Sequence, residues 1–172
     1  MARTQLVFDA RAPTLYLDID GTLHAGSAVI DDTGVITLDS GRELFEFAPV
    51  LVELLAPHPS IQIVLTTSWV SHIGCAGVVS YLPDALRYRV VDDTTRVRSR
   101  MSEVRDGTDR VSKILRHVSS HGVLSWLVLD DRAWGVPIGY ARHFVHLSPE
   151  SGISSPDARS RIKSWLRECQ AL

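Results

Sequence analysis

The stretch "TLYLDIDGTLH", residues 14–24, decides the fold because apolar residues lead directly into two aspartates that lie one residue apart. Side chains at positions i and i+2 of a β-strand point to the same side. A strand here places Leu15, Leu17 and Ile19 on one face, and Asp18 and Asp20 on the other. Two neighbouring carboxylates repel each other and raise one pKa unless a cation or a proton lies between them. The stretch therefore predicts a strand that leads into a cation site.

Length and composition are typical of an ordinary globular protein. The chain has 172 residues, of which 45% are hydrophobic and 22% charged, and its net charge is −2. We expect a single domain over residues 1–172, because this length suffices for one core. The net charge gives no bulk electrostatic reason to expect a dedicated nucleic-acid or membrane-surface binder.

The cysteine pattern and the absence of targeting signals indicate a cytoplasmic protein. Cys75 and Cys169 are far apart and lack the spacing of metal ligands, which fits a reducing compartment. The sequence has no signal-peptide pattern and no apolar run of the roughly 20 residues that span a bilayer. We therefore expect no membrane partner.

Strand and helix patterns alternate along the chain, which favours one α/β domain with a mostly parallel sheet. Pro49 starts or kinks the first helix, Thr108 and Ser155 are candidate helix caps, and Gly74 and Gly77 weaken a helix after residue 68. The predicted strands are 4–9, 14–20, a hairpin over 28–38, 61–68, 86–91, 123–131 and 143–147. The other predicted helices are 42–59, 107–122 and 154–169.

Three predicted strands end in polar side chains. Asp18 and Asp20 end the predicted strand 14–20, residues 66–68 end the strand 61–68, and Asp130 and Asp131 end the strand 123–131. In parallel sheets the ligand lies beyond the carboxyl ends of the strands, so these residues are expected to share one crevice. Four carboxylates form a hard oxygen site that suits Mg²⁺. The metal offsets their repulsion and allows an anionic substrate such as a phosphate to approach.

The polar strand ends resemble, in order, the four motifs of the haloacid dehalogenase-like (HAD) superfamily of phosphohydrolases. "DIDGTL" (18–23) resembles motif I, "VLTTS" (64–68) motif II, Lys113 the motif III lysine, and "WLVLDDR" (126–132) motif IV. With "TTSW" (66–69), the sequence is similar to small HAD-like domains of RNA-repair proteins. It departs from them at Val70, where that group carries arginine. The resemblance implies a Rossmann-like HAD domain whose central sheet is flanked by helices.

The resemblance also assigns catalytic roles. Asp18 becomes the nucleophile that forms an aspartyl-phosphate, and Asp20 the general acid and base. Thr67 is expected to bind the phosphoryl oxygens, and Lys113 to offset the charge of Asp18 and of the phosphate.

The same resemblance implies a metal set and a substrate-binding set. Mg²⁺ is expected on Asp18, on Asp20 through its backbone carbonyl, and on Asp130 and Asp131. The further candidates for substrate binding at the crevice are Thr66, Ser68 and Gly21, the last of which also permits the turn out of the site.

The segments available for a cap are short. HAD caps are inserted after motif I or between motifs II and III, and here these segments hold only a hairpin flap with one helix and an Arg-rich stretch. We therefore expect an open site with no full cap domain. Such a site admits a phosphate on a large partner, such as a nucleic-acid end or a phosphoprotein. Arg98 and Arg100, within the Arg-rich segment 96–110, are candidate phosphate contacts.

Other functions remain open from the sequence. They are a small-metabolite or nucleotide phosphatase, a phospho-acceptor switch, and a catalytically silent HAD-like interaction module. Asp20 argues against the switch, which needs no acid–base partner two residues after the phosphorylated aspartate. The seven histidines show no metal-binding spacing, and none is predicted to be a ligand. Asp92 and Asp93 are interpreted as solvated, and the four tryptophans as packing residues.

Overall fold

A five-stranded parallel sheet forms the centre of the protein, in the order β5-β4-β1-β6-β7. The computed structural model describes residues 7–171. The strands are β1 (Thr14–Leu17), β2 (Ala28–Ile30), β3 (Ile36–Leu38), β4 (Gln62–Leu65), β5 (Val90–Asp93), β6 (Trp126–Asp130) and β7 (Phe144–His146). Strands β2 and β3 form a separate antiparallel hairpin. The predicted α/β fold with a parallel sheet and a hairpin flap is confirmed.

Helices cover both faces of this sheet. They are α1 (Ala48–Leu55), α2 (Trp69–Tyr81), α3 (Asp84–Arg87), α4 (Met101–Asp106), α5 (Asp109–His121) and α6 (Pro156–Gln170). The alternation within β1 separates two cores. Leu15 and Leu17 pack with buried residues of α1, α2 and α6, whereas Tyr16 packs with buried residues of α5. Within residues 7–171, no helix combines the length and apolar content that crossing a membrane requires.

Strand register brings the predicted strand ends to one level. Leu17 pairs with Leu65 of β4 on one side and with Leu129 of β6 on the other. The backbone continues this ladder by one step, because Asp18 N–H donates to the Leu129 carbonyl and Thr66 N–H to the Leu17 carbonyl. The residues that follow β1, β4 and β6 therefore meet at one edge of the sheet.

Several predicted boundaries differ from the structure. Residues 42–47 are not helical, and α1 begins at Ala48 with Pro49 in its first turn, where the missing N–H of proline costs no hydrogen bond. Leu86 and Arg87 belong to α3 rather than to a strand, and α2 is kinked at Gly74. The predicted strand over 4–9 lies partly outside the described residues, and residues 7–9 are not in a strand.

Two predicted helix caps have different outcomes. Ser155 caps α6 as predicted, because its side chain accepts a hydrogen bond from Ala158 N–H. Thr108 occupies the position before α5 but makes no capping hydrogen bond through its side chain within the described residues. Part of the Arg-rich segment forms the short helix α4, which the sequence did not predict.

Candidate active site

Three buried carboxylates meet beyond the ends of β1 and β6. Asp18, Asp130 and Asp131 each offer an oxygen within 4.8 Å of the other two, and all three are at most 7% exposed. We call them the carboxylate cluster. Their approach follows from the register of β1 and β6, which sets Asp18 directly beyond the residue paired with Leu129. The predicted gathering of these aspartates is present in the fold.

Arg110, at the second position of α5, inserts its guanidinium between two of these carboxylates. Its Nη1 donates to Asp18 Oδ2 and to Asp130 Oδ2, the latter at 3.0 Å. From the sequence, Arg110 was predicted only as one of the arginines of the segment 96–110 that are candidate phosphate contacts beside the site, not as a partner of the carboxylates. Arg110 lies three residues before Lys113, so the two side chains are neighbours on one side of the helix. This spacing was the one feature of the sequence that could have indicated a role for Arg110 in the site.

Burial dominates the electrostatics of the carboxylate cluster. It raises the pKa of Asp18, against the effect of Arg110, and also raises the pKa of Asp131. Burial together with the charge of Asp18 raises the pKa of Asp130 to about 7. Although burial opposes it, the charges of Asp18 and Asp130 raise the pKa of Arg110. One arginine therefore offsets only part of the repulsion among the three acids.

The carboxylate cluster has the donor chemistry of a magnesium site. All its ligand atoms are carboxylate oxygens, which Mg²⁺ prefers. Asp131 Oδ1 is buried and has no hydrogen-bond partner within residues 7–171, so it is free to accept a cation. Gly21, at φ 64°, makes room for this side chain, since a Cβ there would overlap Asp131 Oδ2. These residues fit a hard divalent cation.

A cavity of about 130 Å³ is connected to the carboxylate cluster through Arg110, which lines the cavity and contacts Asp18 and Asp130. Arg110 and Lys113 from α5 border it, opposite hydroxyl groups that follow β4 and β5. Thr66 Oγ1 is buried without a hydrogen-bond partner in the described part of the chain, and Thr67 Oγ1 accepts from Trp69 N–H at 3.3 Å. Cations and hydroxyls are the groups that bind phosphate oxygens. Besides Arg110, Lys113 and Thr66, the residues that line the cavity are Thr67, Ser68, Ser71, Thr94, Thr95 and Asp109.

One oxygen of Asp20 is fixed by three donors. Asp20 Oδ1 accepts from Trp69 Nε1 at 3.0 Å, from Ala28 N–H at 3.2 Å and from His24 Nε2 at 3.0 Å. The donors come from α2, from the hairpin and from the turn after β1. With Oδ1 held in this way, Oδ2 is the oxygen available for proton transfer, and the side chain is 18% exposed.

His24 is fully buried, and its tautomer follows from its contacts. Phe45 N–H donates to His24 Nδ1 at 3.4 Å, so the ring carries its proton on Nε2 and donates it to Asp20. Phe45 has a left-handed backbone conformation, φ 61°, which is unfavourable for an aromatic residue. No role was predicted for His24 from the sequence, although it follows Asp20 by four residues and ends the stretch 14–24.

Some predicted site residues lie away from the cavity. Arg98 and Arg100 are exposed on the segment after β5 and are not among its lining residues within 7–171. The prediction that all four tryptophans pack is wrong for Trp134, which is 60% exposed. Trp134 precedes Gly135, which lies against Thr108 at the start of α5.

The interpretation of two acidic residues also changes. Asp92 and Asp93 were predicted to be solvated, but they form the end of β5 and are half-buried. Asp92 Oδ2 lies 3.2 Å from His117 Nε2 on α5. The predicted strand 86–91 overlaps β5 but stops before its end, because the last two residues of β5 are charged.

The parallel sheet and its acidic strand ends define a HAD-like fold of the phosphohydrolase class. A sequence model for the HAD domain in Swiss Army Knife RNA repair proteins matches residues 14–158. The chain therefore belongs to this family, and the predicted relationship is confirmed. No curated protein matches the sequence.

Proposed function

We propose that the protein is a Mg²⁺-dependent phosphoric monoester hydrolase that works through an aspartyl-phosphate on Asp18. One observation supports this proposal above the others: Asp18, in the carboxylate cluster, contacts Arg110, and Arg110 also lines a cavity with Lys113 and hydroxyl groups. A nucleophile, a cation site and phosphate-binding groups thus share one edge of the sheet.

In the first half-reaction, an oxygen of Asp18 bonds to phosphorus while the bond from phosphorus to the leaving oxygen breaks. Arg110 favours the charged form of Asp18 that this attack requires, because its guanidinium contacts the carboxylate directly. Asp20 donates a proton from Oδ2 to the leaving oxygen. The product alcohol leaves, and the phosphoryl group stays on Asp18.

In the second half-reaction, water attacks phosphorus and Asp20 accepts its proton. The bond between phosphorus and Asp18 breaks, which releases phosphate and restores both aspartates. The hydrogen bonds from Trp69, Ala28 and His24 keep Asp20 in one orientation during both steps. Lys113 and Thr67 border the cavity in which the phosphate oxygens lie.

Mg²⁺ would be held by Asp18, Asp130 and Asp131, with the backbone carbonyl of Asp20 as a further ligand. When bound, the metal neutralises the charge that gathers as an anionic substrate meets an anionic nucleophile. The unpartnered Oδ1 of Asp131 supports this assignment.

The proposed substrate is a phosphate on a large molecule, in particular a nucleic-acid end. Between β1 and β4 the described chain holds only a hairpin and α1 as regular elements, so access from that side requires no large lid to open. The exposed Trp134 offers a face on which a base can stack, and Arg98 and Arg100 are exposed cations. The family takes its description from RNA repair proteins.

A panel of phosphorylated compounds tests the activity. It includes nucleotides, sugar phosphates, phosphopeptides and 5′- and 3′-phosphorylated oligonucleotides, each assayed with Mg²⁺. Phosphate release together with an acid-stable phosphoenzyme, absent in Asp18→Asn, is the expected result. A phosphoenzyme that forms without turnover would instead indicate a phospho-acceptor switch. No labelling and no release would overturn the proposal and favour an interaction module.

The size of the substrate is tested separately. A phosphorylated oligonucleotide should be hydrolysed with a higher kcat/KM than a mononucleotide that carries the same phosphate. Reversing both Arg98 and Arg100 to Glu should remove this advantage but leave para-nitrophenyl phosphate hydrolysis nearly unchanged, and salt should act in the same way. The charge-matched control reverses the exposed Arg159 and Arg167 of α6. Equal efficiency on both substrates would favour a small-metabolite phosphatase.

A further inference from the structure

A second group of potential metal ligands lies at the β5 edge of the sheet. Asp92 of β5 meets His117 and His121 of α5, and each of the three offers an atom within 4.8 Å of the other two. We call them the imidazole cluster. It shares no residue with the carboxylate cluster, and the phosphatase mechanism does not use it.

Helix and strand geometry bring these ligands together. His117 and His121 are four residues apart, so they occupy neighbouring turns on one side of α5, and their ring centroids are 4.1 Å apart. Asp92 Oδ2 lies 3.2 Å from His117 Nε2. Two ligands about 2.1 Å from a tetrahedral ion are about 3.4 Å apart, so this pair already has the separation that a metal requires.

Outer contacts fix one nitrogen of each ring, while the two rings stack at an interplanar angle of 22°. His121 Nδ1 lies 3.0 Å from the backbone carbonyl of His117 and donates to it, which leaves Nε2 of His121 as the lone-pair atom. The buried Tyr16 hydroxyl lies 2.8 Å from His117 Nδ1. Metal-binding histidines are commonly fixed by a second hydrogen bond of this kind on the other ring nitrogen.

We propose that Asp92, His117 and His121 form a second metal site, which takes a divalent ion that prefers nitrogen ligands, such as Zn²⁺. The ligands are His117 Nε2, His121 Nε2 and an Asp92 carboxylate oxygen, with a fourth position for water. On binding, the single proton of the neutral His117 ring moves from Nε2, where Asp92 accepts it, to Nδ1, which donates it to the Tyr16 oxygen, so that Nε2 offers its lone pair to the ion.

The donor set separates this site from the carboxylate cluster. Two imidazoles and one carboxylate suit Zn²⁺, Ni²⁺ or Cu²⁺, whereas Mg²⁺ selects oxygen ligands. An ion from solvent can reach the imidazole cluster, because His121 is exposed and the side chain of Asp92 is 29% exposed. A bound ion links α5 to β5. Because α5 also carries Arg110 and Lys113, the ion would hold the helix that supplies both cations of the cavity.

The site is tested by calorimetric titration of Zn²⁺ into the full-length protein. The protein is first stripped of metal and then kept in excess Mg²⁺, so that Mg²⁺ occupies the carboxylate cluster. We expect one Zn²⁺ per chain, with affinity reduced roughly 100-fold in His121→Ala, because even outer partners of a metal site contribute 10–100-fold. Because the His121 side chain is exposed, its removal leaves the buried core intact. The matched control is His72→Ala, an exposed histidine on α2, which should bind Zn²⁺ as the wild type does.

Two further readouts keep the result unambiguous. Zn²⁺ should raise the Tm of the wild type and of His72→Ala but not of His121→Ala, because only a ligand of the folded state stabilises it. Asp92→Asn should weaken Zn²⁺ binding as well, while its circular dichroism spectrum stays native. Undiminished affinity in His121→Ala and Asp92→Asn would overturn the proposal, as would equal loss in His72→Ala or no binding by the wild type.

Discussion

The carboxylate cluster and the imidazole cluster each gather three potential ligands, but they differ in how well the protein alone satisfies them. The carboxylate cluster buries three acids beside one arginine, and the pKa of each acid is raised above its ordinary value. In the imidazole cluster, by contrast, the Asp92 carboxylate and the Tyr16 hydroxyl satisfy His117 through hydrogen bonds. The first arrangement is unfavourable without a cation, whereas the second is stable without one.

This difference indicates that the carboxylate cluster needs a bound cation for its function, whereas the imidazole cluster is stable with or without a metal ion. Buried charges lower stability unless they are paired, so an acidic cluster of this kind points to a function that requires it. Hydrogen-bonded histidines at a sheet edge contribute to packing whether or not a metal binds. Activity should therefore depend strongly on the carboxylate cluster and hardly at all on the imidazole cluster.

The sharpest test of this contrast replaces one aspartate in each cluster. Asp18→Asn removes the nucleophile and should lower kcat by roughly 10⁴-fold or more, the scale of losing a group that acts covalently. Asp92→Asn removes a carboxylate of similar size and should leave kcat within about twofold. Both are measured with the best substrate of the panel and saturating Mg²⁺. Near wild-type turnover in Asp18→Asn would refute the aspartyl-phosphate mechanism, whatever the fold.

The second largest difference between the two clusters is expected in the response of turnover to metal removal. EDTA should abolish turnover, and Mg²⁺ should restore it in the wild type and in His121→Ala alike. Asp131→Asn should raise the Mg²⁺ concentration for half-maximal activity by roughly 10–100-fold, the range found when support for a metal site is lost. Full turnover in the presence of chelator would contradict the role of Mg²⁺.

The sequence predicted the parts of the site that lie on strands. Strand alternation and the parallel pattern sufficed to place Asp18, Asp130 and Asp131 at one edge, because neighbouring parallel strands end at the same level. The register of these strands could not be predicted from the sequence. The prediction of the site did not need it, because each strand ends in its functional residue.

The parts contributed from helices and turns were less predictable. Arg110 is one of several arginines in its segment, and only the docking of α5 on the sheet selects it. His24 contacts Asp20 across a turn that contains Gly21, and its ring also accepts a hydrogen bond from Phe45 N–H, 21 residues further along the chain. The imidazole cluster combines residues 25 positions apart in sequence. Such contacts depend on tertiary packing rather than on local pattern.

Removing one of the hydrogen bonds to Asp20 should have a smaller effect on kcat, and that effect should depend on the leaving group of the substrate. Trp69→Phe keeps a buried ring but removes the Nε1 donor, and should lower kcat for an alkyl phosphate by about 10-fold, the worth of one hydrogen bond to a charged group. Hydrolysis of para-nitrophenyl phosphate should change little, because nitrophenolate leaves without a proton.

The matched control for that variant is Trp165→Phe. Trp165 is also buried, but its Nε1 has no hydrogen-bond partner in the portion of the chain that is described, residues 7–171. It should leave both rates unchanged. Equal losses on both substrates in Trp69→Phe would mean that Trp69 acts through packing alone, and would leave the phosphatase mechanism itself intact.

The smallest expected effect is the pH dependence of stability without metal. Because the folded protein raises the pKa of Asp130 to about 7, and also raises those of Asp18 and Asp131, it binds protons more tightly than the unfolded chain. The contribution of these groups to stability is therefore fully present below the unfolded carboxyl pKa of about 4 and is lost as pH rises through about 7. In EDTA, Tm should drop by a few degrees between pH 5 and 8, and Mg²⁺ should reduce the drop. Asp130→Asn should flatten this profile and Asp92→Asn should not, whereas a Tm that rises over the same range would show that the carboxylate cluster is satisfied without a cation.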